Sequence, residues 1–163
     1  MSKRLSTARA LIEFLRQRLP KDAFRAYYEG DPILPPFEYL PCIIVTETET
    51  NYDLGPTGAD IIRHTMLIQV VFNKHDDIGN PDDQTTMEAL IDDVVHSRDA
   101  TTGELLPTSI MGILRSGFTM GNIYVESVGG LRKGVIPRSE DLLTVEGHID
   151  LTLEEIQNVT NRS

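Results

Sequence analysis

The sequence predicts an α+β domain in which two helices pack on one face of a mostly antiparallel sheet. The order is α-β-β-α-β-β, with long projecting hairpins. Three observations carry this. Apolar residues recur at helical spacing near the start of the chain and again after residue 86. Two pairs of alternating segments read as β-hairpins, one before the second helix and one after it. Finally, 40% apolar composition over 163 residues is enough for one core, so a single domain over 1–163 is expected. No internal repeat and no composition shift marks a boundary.

The first helix is expected from Ser6, an N-cap residue, with Leu5 placed for a hydrophobic staple. Its stripe is Leu5, Ala8, Ile12, Leu15 and Leu19, widened by Leu11 and Phe14. Pro20 ends it. "FRAYYEG" offers one short extra strand. The proline-rich "DPILPPFEYLP" suits an edge or connector.

"CIIVTETET" reads as a strand running out into a polar turn region, "NYDLGPTGAD". The return strand is "IIRHTMLIQVVFNK". At about 3.3 Å per residue it would span roughly 45 Å. A domain of this length has a radius of gyration of roughly 15 Å, so this strand crosses the whole body. Ile62, His64, Met66, Ile68, Val70 and Phe72 form its core face. Leu67 and Val71 interrupt an otherwise wet opposite face and are candidates for packing against a second surface.

An acidic loop, "KHDDIGNPDDQ", leads to the second helix, with Asp82 or Asp83 as expected N-cap and Met87, Leu90, Ile91, Val94 and Val95 as its stripe. "SRDATTGELLPTS" is a polar connector. "NIYVESV" and "DLLTVEGHIDLTL" form the second hairpin around "GGLRKGVIPRSE". In the last strand Leu143, Val145, Ile149, Leu151 and Leu153 face inward; Thr144, Glu146, His148, Asp150 and Thr152 face outward.

The net charge of −10 argues against nucleic acid as a main partner, because phosphate backbones demand clustered Lys and Arg. Residues 1–25 carry +5 and the remainder −15. Such a split can pair neighbouring copies or be solvated within one. Arg132, Lys133 and Arg138 form a basic hairpin tip on an acidic body, suited to an acidic surface on the next subunit or simply hydrated. One cysteine, Cys42, allows no internal disulfide and fits a reducing cytosol. The basic start lacks the solid apolar block of a signal peptide, and no run reaches membrane-spanning length, so a soluble, unprocessed chain is expected.

Catalytic chemistry finds little footing. Glu146, His148 and Asp150 are metal-capable types at alternate strand positions, Asp92 and His96 lie one helical turn apart, and His75, Asp76, Asp77, Asp82 and Asp83 concentrate oxygens in a loop. None has the spacing of an established site. Cys42 with His64 as base is the one nucleophile pairing, and a small buried thiol explains Cys42 better. Phosphate-binding and nucleophile-elbow motifs are absent from the sequence. No enzyme, catalytic residue, cofactor or metal is expected.

The succession of an amphipathic helix, "PCIIV", "HTMLIQVVFNK", an acidic loop, "MEALIDDVV", "GNIYVESV" and "LTVEGHIDLTL" resembles the tail-terminator, or tail-completion, proteins of long-tailed bacteriophages. The resemblance covers nearly the whole chain and rests on element order and strand character. It implies a ring, a hexamer in that family, which caps the tail tube, ends its polymerisation and docks to the neck. Expected partners are further copies of this chain, the tail tube protein and a neck or head-completion protein. DNA passes through without specific binding and no membrane is involved. The place is the tail–neck junction of the virion, after assembly in the host bacterial cytoplasm. Arg132, Lys133, Arg138, Leu67 and Val71 are the candidate interface residues. Two alternatives are another neck component (head-closure or adaptor) and a metal-dependent enzyme on an α+β scaffold.

Overall fold

In the computed structural model, which describes residues 4–55, 58–77 and 86–158, Ser6 opens the first helix as its sequence suggests. The Ser6 hydroxyl oxygen accepts from the Arg9 N–H at 3.0 Å, and α1 runs Thr7–Arg18. Ala8, Leu11, Ile12 and Leu15 are buried on one side of it. Removing each such Leu or Ile from water contributes roughly 1.5–3 kcal/mol.

The strands are β1 (Ala26–Glu29), β2 (Cys42–Leu54) and β3 (Ala59–Asn73). After α2 (Met87–His96) and α3 (Ile110–Leu114) come β4 (Thr119–Met120), β5 (Ile123–Pro137) and β6 (Leu143–Asn158). They form one six-stranded sheet in the order β1-β2-β3-β6-β5-β4. β1 is parallel to β2 and all other neighbours are antiparallel. β3 is paired along its whole length to β6, from Ala59↔Asn158 to Asn73↔Thr144, and along most of it to β2, from Leu54↔Asp60 to Cys42↔Val71. That double pairing is what lets a strand of 15 residues exist in so small a body.

The expected α+β order is corrected. Among the described residues the molecule is predominantly β, a curled mixed sheet with 46% strand and three α-helices rather than two. The unforeseen pieces are short. α3 has five residues, four of them buried, so no periodic stripe can show. β4 has two residues.

The principal core lies between the helices and the sheet face carrying Ile43, Val45, Met66, Ile68, Val70, Val145, Ile149, Leu151 and Leu153. α2 approaches β6 at Gly147, where an added Cβ would lie 2.8 Å from Ile91 Cγ2 and 2.7 Å from Leu131 Cδ1. The N-cap of α2 is Thr86, whose side chain accepts from Ala89 N–H; the expected caps Asp82 and Asp83 lie outside the described residues. A second, smaller cluster sits on the opposite face: Leu40, Cys42, Ile44, Val71 and Leu142. No helix among the described residues is long and apolar enough to cross a membrane.

Candidate interaction surface

The second sheet face is organised by Arg138. Its side chain is only 6% exposed and its neighbour Glu146 is fully enclosed. Nε donates to Glu146 Oε2 at 2.7 Å and Nη2 to Oε1 at 3.1 Å. Nη1 donates to Asp31 Oδ1 and to the Ile33 carbonyl, both at 2.7 Å, and Nη2 to Asp31 Oδ2 at 3.1 Å. All five guanidinium donors are used, which is what an arginine needs to be buried at tolerable cost. Glu146 also accepts from Thr144 at 2.6 Å and meets His148 at 3.0 Å. Burial pushes the Glu146 carboxyl up. Hydrogen bonds with His148, Arg138 and Thr144 outweigh this and hold it at about 2. Burial likewise raises Asp31, and the Arg138 and Ile33 hydrogen bonds bring it below the ordinary range.

This network ties the segment after β1 to the β5–β6 turn, 107 positions away. It also fixes a strained turn. Ile33 has φ +69°, a left-handed conformation costly for a β-branched residue. Its N–H donates to Asp31 at 2.8 Å and its carbonyl is held by Arg138. The result is an exposed apolar group on one short passage: Ile33, Leu34, Phe37 and Tyr39.

A second polar cluster lies on the core face near the β2–β3 turn. His64 meets Glu155 at 2.9 Å through Nε2 and Glu47 through Nδ1. Arg4 donates two bonds to Glu155. The Arg4 bond lowers the Glu155 carboxyl, burial opposes, and His64 adds to the lowering. The segment before α1 is thereby fastened to the end of β6.

The residues singled out from sequence fall in different places. Arg132 and Lys133 lie within β5, not on a hairpin tip; the turn is residues 138–142. Arg132 pairs with Asp150 and Lys133 with Asp92, each at 2.7 Å and exposed. Arg138 belongs to the buried triad. Val71 is enclosed in the smaller cluster with no exposure, and Leu67 is half-buried. Thr144 and Glu146, expected on a wet face, are buried because the segment after β1 covers them.

Cys42 and His64 lie on opposite sheet faces, seven residues apart along β3 by register (Cys42 opposes Val71). Burial pushes the Cys42 thiol up to about 12, which leaves no thiolate for nucleophilic work. Among the described residues no group of three His, Cys, Asp or Glu could hold a metal ion. Glu146 is committed to Arg138, and Asp150 to Arg132. A depression beside Asp92, Asp93 and His96 is open to solvent.

Exposure of large apolar side chains is concentrated. Besides the 33–39 passage it falls at the β2–β3 end, on Tyr52 (66%) and Leu54 (77%) of one sheet face and Ile156 of the other, and singly on Leu5 and Val135. The last seven residues of β2 are all exposed. Sequence reasoning missed Asp31 and the 33–39 group because "DPILPPFEYLP" reads as a connector; its five large apolar residues were the available signal. No family model matches the chain, and no curated protein matches it either.

Proposed function

We propose that this chain is a structural component of a long-tailed phage, a tail terminator. Copies form a ring, six by the family resemblance, that sits on the last ring of the tail tube, stops its growth and offers a docking surface to the neck. The reading involves neither catalysis nor a cofactor or metal. The observation that carries it is the long end of the sheet: β2 and β3, flanked by β6, form an arm crossing the whole body, and among the described residues Tyr52 and Leu54 stand exposed at its end. Isolated exposed apolar residues are ordinary, but a clustered set at the end of a rigid arm suits a contact with another chain.

The charge layout supports the same reading. The helix face of the sheet carries the basic α1, whereas the opposite face beyond the Arg138 network carries Asp53, Glu126, Asp150 and Glu154 against Arg63 and Arg132. Turned toward the lumen, that face repels the phosphates of passing DNA.

The test is a tube-growth assay. Added to polymerising tail tube protein, the chain is expected to shorten the tubes and appear in negative stain as a ring at one end. Unaltered tube length without end-bound rings overturns the proposal; binding to the portal side alone reassigns it to head closure.

A further inference from the structure

Both edges of the sheet are only partly covered. β1 pairs with β2 at Cys42–Val45 alone, and β4 with β5 at Ile123 and Tyr124 alone. Among the described residues, Thr46–Leu54 on β2 and Val125–Pro137 on β5 therefore have no outer strand neighbour. Long open edges are templates for another strand.

The two edges are unlike. The β2 edge contains Glu47, Glu49 and Asp53 and no base; the β5 edge contains Arg132 and Lys133, with one acid, Glu126, near its β4 end. The β5 edge also carries Gly130 and Gly134, where an added Cβ would meet nothing within 4 Å. Gly130 lies in the register shift between Val128 and Leu131, which accounts for it; Gly134 sits in regular pairing, and a strand glycine of that kind marks close approach of another backbone.

We infer that copies of this chain join edge to edge, the free β2 edge of one pairing antiparallel with the free β5 edge of the next. The strand directions allow it, since β2, β3, β6 and β5 alternate and the added strand continues the alternation. The faces allow it too. Glu49 and Arg132 lie on the face away from the core, Glu47 and Lys133 on the core face. Because β2 bulges between Glu47 and Glu49, one register sets Glu49 against Arg132 and Glu47 against Lys133. Arg132 and Lys133 hold only exposed ion pairs within the subunit, which cost little to exchange.

The offset closes the sheet rather than extending it flat. Glu49 lies level with Thr65, and Arg132 level with Gln69, four residues along β3. That is about 13 Å of slip across four strands, or about 19 Å of width. The resulting tilt of about 35° is that of closed sheets. A heterologous contact that closes by rotation gives a ring.

This inference rests on the ring-forming reading and is tested with the full chain carrying Glu49→Cys and Arg132→Cys. Mild oxidation is expected to give disulfide-linked multimers on a non-reducing gel, ending in one closed species, whereas either cysteine alone gives no ladder. Buried Cys42 does not interfere. Separately, Glu49→Arg and Arg132→Glu are each expected to weaken association about tenfold, and the two together to restore it, with unchanged thermal melts as the folding control. Multimers by mass without cross-linking or charge rescue overturn edge pairing and leave the ring reading standing. A monomer at high concentration overturns both.

Discussion

Arg138 is the residue on which one side of the sheet depends. Its five hydrogen bonds hold Asp31, Ile33 and Glu146 in place. Removing it leaves two carboxylates short of a partner, one of them fully enclosed. Arg138→Met is expected to cost about 3–5 kcal/mol by urea denaturation, the range for breaking a buried pair from one side. The acid limb follows from Glu146. Its carboxyl is near 4.5 when unfolded and about 2 when folded. The unfolded chain thus binds the proton first, and the stabilisation, complete above about pH 5, is lost as pH falls toward 2. Glu146→Gln is expected to be less stable at pH 7 and to show a flatter decline between pH 5 and 2. An equally steep decline in the variant would assign the acid sensitivity elsewhere. None of this was readable in advance. "IPRSED" looks like a charged turn, and only the fold brings Asp31 over it.

At the scale of elements, what was legible depended on length and on which face was covered. β3 and β6 show their alternation in sequence, and the expected inward set of β3 is buried, joined by Gln69 and Val71 on the other face where the second cluster covers them. α1 and α2 showed their stripes. β5 did not, because register shifts at Val125/Ser127 and Val128/Leu131 break its alternation, and "GGLRKG" imitates a turn. A glycine also hides the seat of α2. At Gly147 the helix and the β5 side chain Leu131 leave no room for a methyl group. Gly147→Ala is therefore expected to destabilise by about 1–3 kcal/mol despite the better strand propensity of alanine. Calorimetry checks this, and the cost should shrink in a Leu131→Ala background, where the Cδ1 methyl in the way is gone. A variant as stable as the parent would mean that α2 shifts freely on the sheet.

For the molecule as a whole, two electrostatic effects of opposite sign bear on assembly. Every copy carries −10, and like charges spread over a body repel through solvent at distances where salt screens well. The edge pairs inferred between Glu47, Glu49, Lys133 and Arg132 act at contact distance and are screened far less. The Debye length is about 30 Å at 0.01 M, about 10 Å at 0.1 M and about 3 Å at 1 M. Raising salt from the first value to the second removes body repulsion while leaving the contacts mostly intact; raising it to the third reaches the contacts themselves. Association is therefore expected to strengthen and then weaken, with its maximum near the middle of that range, as read by sedimentation at fixed protein concentration. Glu49→Arg should flatten the falling limb, because only the Glu47–Lys133 pair is left to screen, while the rising limb persists with the net charge. Monotonic weakening from the lowest salt would show that body repulsion is negligible. Indifference to salt throughout would remove charge from the contact and leave backbone pairing and the apolar arm to hold the copies together.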